Sequence, residues 1–333
     1  MKNLLKNLAL SGFVLLLCAG GLEFALRVAG YGNLEIYDPD PLLFWRLRPN
    51  QDAFTKIDHK PVHVNAHGTR GPEFADAKPA GTIRILSLGD SRTFGWGVSD
   101  AESYSGRLES LLQQRAGEGE RVEVINAGVN AWSFPQLLVF FREIGSAWHP
   151  DFAIVGEANL WTQFSEKSSP EFRDRFMFRV RLKNLLRRLA TYHYVVEVKL
   201  KDLYERERVR FIPVDPQSDE LFKDQQQDDP ERFFRESIEQ LCRTAIEKGT
   251  KPILLYIPTL SELESGKPSR SLKAKREVAA KLGVPLVDPS DALRRGGASL
   301  YLEGDPVHLS VEGNEVVAKS LFDAITPMVG RPG

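Results

Sequence analysis

The hydrophobic and polar positions of the chain follow a regular pattern in its larger, C-terminal part. Short apolar runs with β-branched residues, typical of buried parallel strands, are followed by longer stretches in which apolar residues recur at helical spacing. The predicted strands are 83–88, 122–125, 152–155, 252–257 and 284–287. The predicted helices are 103–114, 135–148, 271–282 and 311–326. This alternation predicts an α/β fold, with a parallel sheet and helices on both of its faces.

The first 29 residues form a separate block. Lys2 and Lys6 precede residues 8–22, which carry no charge. A positive start before an apolar run predicts a membrane anchor or a signal peptide, with the N-terminus in the cytoplasm and the rest exported. Residues 23–28 continue the apolar helix instead of giving way to a polar linker. We therefore favour a retained transmembrane helix over a cleaved signal peptide.

Residues 30–80 and 160–230 do not follow the alternation. The first stretch has turn residues at 38–41 and short apolar runs at 42–45 and 62–64, which predicts a small β-rich unit packed on a main domain of residues 81–330. The second is an insertion after the third strand.

The insertion carries six arginines among the apolar residues of 172–189. We interpret it as a lid or a solvated helix near the mouth of the site, in preference to a helix lying on an anionic membrane surface.

Composition excludes several classes of function. The formal net charge of -1 gives no basic field to hold nucleic acid. Cys18 lies in the apolar N-terminal run and Cys242 in a predicted helix, so no disulfide is predicted. Without a Cys/His cluster, no metal site is predicted. Residues 95–97 lack the Gly-Lys-Ser/Thr ending of a phosphate loop, and no cofactor is predicted.

Two motifs carry the chemistry. Gly89, Asp90 and Ser91 follow the first strand, and open α/β sheets place their ligands at such strand ends. An acyl-transfer serine needs a base within reach and an acceptor that orients the base. Asp305 and His308, three residues apart before the last helix, are suited to those two roles.

With these motifs the chain resembles the SGNH hydrolase superfamily, also called the GDSL esterases and lipases, over residues 81–330 apart from the insertion. The signatures are Gly89-Asp90-Ser91 with Thr93-Phe94-Gly95, and Asp305-x-x-His308 with Leu309-Ser310 and Gly313-Asn314. The resemblance implies a flavodoxin-like three-layer α/β/α sandwich. It also implies Ser91 as nucleophile, His308 as general base and Asp305 as the carboxylate that orients it.

In this family three groups hold the oxyanion: the nucleophile's own backbone N–H, a glycine N–H after the second strand, and an asparagine side chain after the third. The glycine position falls at Ala131, and Gly128 is the nearest glycine. An alanine there is expected to need a negative φ. Where the family has Gly-x-Asn-Asp, this chain has Glu157-Ala158-Asn159-Leu160. Asn159 is therefore our candidate for the side-chain donor.

These observations predict a membrane-anchored, exported serine esterase that works through an acyl-enzyme. Its expected substrate is a small acyl group on an envelope or extracellular glycan, or a lipid ester. Two alternatives stay open. One is a glycan O-acyltransferase with the same catalytic residues, and the other is a non-catalytic envelope component that keeps the fold as a binding platform. Trp96, Trp132 and Trp161 follow strand ends and are candidates to line an acyl or sugar subsite.

Overall fold

The structure, a computed structural model, describes residues 2–34, 37–55, 60–117, 119–159, 164, 166, 168–200 and 229–329. The predictions for Trp161 and for residues 201–228 lie outside these ranges. The chain begins with helix α1 (Lys2–Val28). Two antiparallel hairpins follow, β1 (Tyr37–Asp40) with β2 (Phe44–Leu47) and β3 (Gln51–Phe54) with β4 (Pro61–Val64).

The first hairpin corrects one prediction. Residues 38–40 belong to strand β1 and not to a turn, with Pro39 opposite Trp45. Proline is tolerated here because each strand of a two-stranded ribbon is an edge. The turn starts at Asp40, whose Oδ1 accepts hydrogen bonds of 2.8 Å from the N–H groups of Leu42 and Leu43.

A five-stranded parallel sheet lies at the centre of the molecule, in the order β6-β5-β7-β8-β9. Its strands are β5 (Thr82–Gly89), β6 (Arg121–Gly128), β7 (Phe152–Val155), β8 (Lys251–Leu255) and β9 (Leu286–Val287). Neighbouring residues on a strand face opposite ways, so that Ile85 and Leu86 belong to different apolar cores. Each face of the sheet therefore needs its own cover.

Helices supply that cover on both faces. The helices described after α1 are α2 (Ser91–Phe94), α3 (Tyr104–Arg115), α4 (Phe134–Glu143), α5 (Pro170–Arg187), α6 (Ala190–Tyr192), α7 (Pro230–Glu247), α8 (Leu260–Ser265), α9 (Arg270–Leu282), α10 (Ser290–Gly296) and α11 (Val311–Val329). A π-helical segment, His193–Lys199, follows α6. Helices α3 and α11 pack on one face, and α4, α7 and α9 on the other. The predicted three-layer α/β/α sandwich is confirmed.

The hairpins brace the loops at the carboxyl ends of the strands. The Trp132 Nε1–H donates to the Trp45 carbonyl at 2.9 Å, and the Trp45 Nε1–H donates to the Asn130 carbonyl at 3.0 Å. Arg70 is buried and donates to the carbonyls of Phe94 and Gly95, each at 2.7 Å. Residues from the N-terminal quarter thus fix the loops on which the site is built.

Helix α1 is exposed over most of its length. Its segment Asn3–Val28 is long and apolar enough to cross a membrane, and a signal sequence would have the same character.

Candidate active site

Ser91 lies on a tight turn at the carboxyl end of β5. A Cβ on Gly89 would meet the Thr93 hydroxyl at 2.0 Å, so only glycine allows α2 to fold back this closely over the strand. Asp90 caps α2, because its carboxylate accepts a hydrogen bond from the Arg92 backbone N–H at 2.9 Å. Ser91 is the first residue of α2, where a helical N–H has no acceptor within the helix. The hydroxyl and the backbone N–H of Ser91 are therefore both held in position by this turn.

The structure brings Ser91, His308 and Asp305 together. His308 Nε2 lies 2.8 Å from Ser91 Oγ, and His308 Nδ1 lies 2.6 Å from Asp305 Oδ2. The second carboxylate oxygen of Asp305 accepts from the backbone N–H groups of Val307, at 2.9 Å, and His308, at 3.2 Å. These bonds fix the carboxylate, and the carboxylate fixes the ring. The arrangement suits removal of the serine proton by a histidine held in one tautomer.

Asp305 is kept ionised by its surroundings. Burial alone would raise the pKa of its carboxyl, but the hydrogen bond and charge of His308 and the two backbone N–H groups outweigh burial. The pKa of Asp305 therefore lies below its ordinary value. An ionised partner stabilises the imidazolium that forms when the histidine accepts a proton.

Gly128 does not fit the predicted role of oxyanion donor. Its backbone N–H donates to the Asn126 side-chain oxygen at 3.0 Å. A Cβ on Gly128 would also lie 2.2 Å from the Phe94 backbone nitrogen. This glycine lets α2 pack against the end of β6, and its N–H is already used. The structure contradicts Gly128 as a donor.

Ala131 departs from the expected backbone conformation. We expected an alanine at this position to need a negative φ, but its φ is 67°, in the left-handed region. A non-glycine residue there costs roughly 1–2 kcal/mol. The loop after β6 therefore keeps the conformation that glycine favours although alanine occupies it. Donation by the Ala131 N–H to an oxyanion stays a prediction.

Asn159 is held against the loop that follows β6. Its backbone N–H donates to the Trp132 carbonyl at 2.8 Å, and its side-chain Nδ2 lies 3.3 Å from the same oxygen. A side-chain amide has two hydrogens, so one remains for another acceptor. The half-buried side chain is thus fixed by Trp132, and its donation to an oxyanion stays a prediction.

Two charged pairs behind the serine were not predicted from the sequence. Asp90 and Arg92 form an ion pair of 2.8 Å, and Arg92 also donates to the Ile257 carbonyl at 3.2 Å. Glu157 and Lys275 form a second pair of 2.6 Å in which both side chains are buried. The pairs join the ends of β5, β7 and β8 with α9 behind the nucleophile turn.

The Glu157–Lys275 pair has all its hydrogen bonds satisfied. Lys275 Nζ also donates to the carbonyls of Gly156, at 3.0 Å, and Leu255. Glu157 accepts from the Ser271 hydroxyl at 2.6 Å. Burial lowers the pKa of Lys275 below its ordinary value, although Glu157 opposes this. One signal was available in the sequence: Lys275 lies three residues after Leu272 and three before Val278, on the apolar face of its helix.

Of the two predicted subsite tryptophans that the structure describes, Trp96 stays a candidate and Trp132 does not. The Trp96 ring is half-buried, with its centroid 5.9 Å from that of His308. Trp132 is fully buried, with its indole N–H bonded to the first hairpin, so it cannot line a subsite. Trp161 lies outside the described residues. Within the described parts of the chain, no three His, Cys, Asp or Glu side chains group as metal ligands.

The comparison with protein families agrees with the two motifs described above. The sequence model of the GDSL-like Lipase/Acylhydrolase family matches residues 87–316, which include Ser91, Asp305 and His308. No curated protein matches the sequence.

Solved structures with a similar fold include a lipase/acylhydrolase from Enterococcus faecalis, at 18% identity over 75% of this chain and 99% of that chain, with a TM-score of 0.45. Another is a catalytic mutant of an acetylxylan esterase from Geobacillus stearothermophilus, at 15% identity over 73% and 94%, with a TM-score of 0.44. A third, from Desulfitobacterium hafniense, is described as a lipolytic protein of the G-D-S-L family; it has 15% identity over 72% and 98%, with a TM-score of 0.44.

Proposed function

Because the chain belongs to the GDSL-like lipase/acylhydrolase family, we propose that it is a serine esterase in which Ser91, His308 and Asp305 act through an acyl-enzyme. The family makes the protein a hydrolase. The observation that carries the finer proposal is the line of two hydrogen bonds from Ser91 through His308 to Asp305, at 2.8 and 2.6 Å.

In the first half-reaction the Ser91 oxygen attacks the ester carbonyl while its proton passes to His308 Nε2. The carbonyl oxygen becomes an oxyanion, and the Asp305 carboxylate stabilises the imidazolium. When the tetrahedral intermediate collapses, the bond to the alcohol breaks and His308 returns its proton to the leaving oxygen. The acyl group is then an ester of Ser91.

In the second half-reaction water takes the place of the alcohol. His308 removes a proton from water as the water oxygen attacks the acyl carbon. It then protonates Ser91 Oγ as the acid leaves. The proposed oxyanion donors are the N–H groups of Ser91 and Ala131 and the Asn159 amide. A donor aimed at the developing charge is worth about 10²–10³ in rate, so these groups set how fast the enzyme works.

We also propose that the substrate carries a small acyl group on a glycan, and that α1 is retained as an anchor with the sandwich on the exported side. Trp96 supports the glycan, because a half-buried aromatic ring beside the base suits a sugar face. The unbroken course of α1 to Val28, past Glu23, supports the anchor. Sodium carbonate extraction of cell membranes followed by intact-mass measurement tests it. A soluble or truncated chain contradicts the anchor.

A series of p-nitrophenyl esters tests the proposed reaction on the full-length protein in nanodiscs. Ser91→Ala should lower kcat on the order of 10⁶-fold and leave thermal unfolding unchanged. Ser261→Ala, which removes a hydroxyl elsewhere on the surface, is the matched control. Turnover by Ser91→Ala equal to that of Ser261→Ala would exclude Ser91 as the nucleophile. Acetyl esters should react faster than octanoyl esters, whereas the reverse order would replace the glycan by a lipid ester.

A further inference from the structure

Helix α5 exposes a stripe of large apolar side chains. Phe178 is 64% exposed, Leu182 39%, Leu185 62% and Leu189 46%. The spacing of Phe178, Leu182 and Leu185 puts these three on one side of α5. Leu189 lies two residues beyond the end of the helix, and we call the four side chains the α5 stripe. Exposed apolar patches of this kind mark surfaces that bind a partner or a membrane.

The stripe lies in a strongly basic segment. Residues 175–196 contain six Lys and Arg and no Asp or Glu. Arg175, Arg181 and Arg188 are exposed and flank the stripe. A basic, apolar outer face is typical of helices that lie in the interface of an anionic bilayer, where arginines reach the headgroups and apolar side chains enter the acyl boundary.

The opposite face of α5 is fixed to the sandwich. The rings of Phe172 and Phe176 pack against Phe44 of β2, with centroid distances of 5.8 and 5.9 Å. The outer face is therefore held in one orientation relative to the active site, and it is not a freely rotating element.

The end of α5 meets the N-terminal helix. The Glu23 carboxylate of α1 accepts hydrogen bonds from the backbone N–H groups of Ala190, at 2.8 Å, and Thr191, at 2.9 Å, and from the Thr191 hydroxyl at 2.9 Å. Arg27 pairs with Glu23 at 2.7 Å and donates to the Arg188 carbonyl. The corner between α5 and α6 is thus joined to α1 close to the end of its apolar run.

The contact of Glu23 with Ala190 and Thr191 sets how deep the corner between α5 and α6 lies in a membrane that α1 crosses. Helix residues 7–26, between Lys6 and Arg27, cover about 30 Å, which is the thickness of a bilayer core. Glu23 then lies about 5 Å inside the outer edge of that core. A carboxylate at this depth is costly unless its oxygens are paired. Because Ala190 and Thr191 supply the pairing, the first turn of α6 lies at the same depth.

We infer that the α5 stripe lies in the surface of the bilayer that α1 crosses, with Arg175, Arg181 and Arg188 at anionic phospholipid headgroups. The inference rests on the proposed retention of α1. A protein partner would not explain why the stripe ends directly before the residues whose N–H groups bind Glu23 of an anchor helix. The hairpin of β1 and β2, which braces the loop after β6, is then held on the membrane side of the sandwich. Substrate would reach Ser91 from the envelope surface.

Fluorescence quenching by lipid-borne spin labels tests the inference on the full chain. An environment-sensitive dye is placed on Leu185→Cys in a Cys18→Ser background, in phosphatidylcholine vesicles with and without phosphatidylglycerol; Cys242 is buried and stays unlabelled. Ile246→Cys is the matched control, an apolar side chain that is 48% exposed on α7, near the amino ends of the strands. Dye on the native Cys18 reports separately whether α1 is in the bilayer. Thermal unfolding checks that each variant folds.

The expected result is strong quenching at Cys18 and, with phosphatidylglycerol, at position 185, but not at 246. Changing Arg175, Arg181 and Arg188 together to Ser should lower the ratio of docked to undocked chains on the order of 100-fold, at about fivefold per arginine. Changing Arg276, Arg294 and Arg295 together to Ser should leave the ratio of docked to undocked chains unchanged. Quenching at Cys18 with none at 185 overturns the inference and leaves the anchor standing. No quenching at Cys18 overturns both.

Discussion

Lys275 and Glu157 form an ion pair of 2.6 Å in which neither side chain reaches solvent, directly behind the turn that carries Ser91. Glu157 follows β7 and also accepts, at 3.2 Å, from the Ile257 N–H that follows β8. A buried pair is not in itself a net source of stability, because desolvation offsets the attraction. Its effect is to make each charge depend on the other. The pair thereby fixes how the ends of β7 and β8 sit beside the nucleophile.

Removing the lysine alone should therefore be strongly destabilising. Lys275→Met leaves Glu157 as an unpaired buried charge, and we expect a loss of about 3–5 kcal/mol in the free energy of unfolding. The double variant Lys275→Met with Glu157→Gln should recover much of that loss, since neither charge remains. Lys273→Met, an exposed lysine on the same helix, is the control in denaturant unfolding. Equal stability of Lys275→Met and Lys273→Met would refute the idea that the buried Glu157 charge depends on Lys275.

The lowered pKa of Asp305 predicts how its contribution to stability varies with pH. A carboxyl whose pKa is lower in the folded chain stabilises fully above its ordinary value of about 3.9 and loses this contribution as the pH falls through the folded value. The difference in Tm between wild type and Asp305→Asn should thus be constant from about pH 5 to about pH 4 and shrink below that. Calorimetry measures it, with Asp291→Asn, an exposed aspartate, as control. A gap that instead widens in favour of the wild type as the pH falls from 5 to 4 would show a raised pKa.

Much of this architecture follows from the sequence for a simple reason. Buried parallel strands are continuous apolar runs, and residues 152–155 match β7 residue for residue. The carboxyl ends of such strands meet at one edge, so Ser91 and His308 were expected to meet across 217 positions.

What the sequence did not predict depends on side-chain partners. The Gly128 N–H is taken by Asn126, and the Trp132 indole by the first hairpin. Neither partner follows from periodicity, because it is set by how separate segments pack. Pro39 suggested a turn, yet an edge strand tolerates it. The ion pairs behind Ser91 were missed for a related reason, since a charged residue at an apolar helix position has meaning only once its partner is known.

Ala131 offers a test of backbone strain in the site. Ala131→Gly relieves about 1–2 kcal/mol of left-handed strain, while glycine's extra freedom when unfolded costs about 0.5–1 kcal/mol. We expect stability between unchanged and about 1.5 kcal/mol higher. Ala127→Gly, within β6 and buried, has no strain to relieve and should lower the Tm. A fall in Tm for Ala131→Gly as large as that for Ala127→Gly would show that the loop does not hold the left-handed conformation.

Whether the segment after β7 still supplies an oxyanion donor depends on Asn159. Its side chain shares the Trp132 carbonyl with its own backbone N–H, which leaves one amide hydrogen for the reaction. If that hydrogen meets the oxyanion, Asn159→Ala should lower kcat by about 10²–10³, or about 2.7–4 kcal/mol. KM should change little, because the bond strengthens only as charge develops. Asn130→Ala is the control, since it removes an amide that donates to the Tyr37 hydroxyl at 2.7 Å. If Asn159→Ala lowers the Tm without lowering kcat, the amide serves only to hold Trp132, and the backbone N–H groups carry the oxyanion.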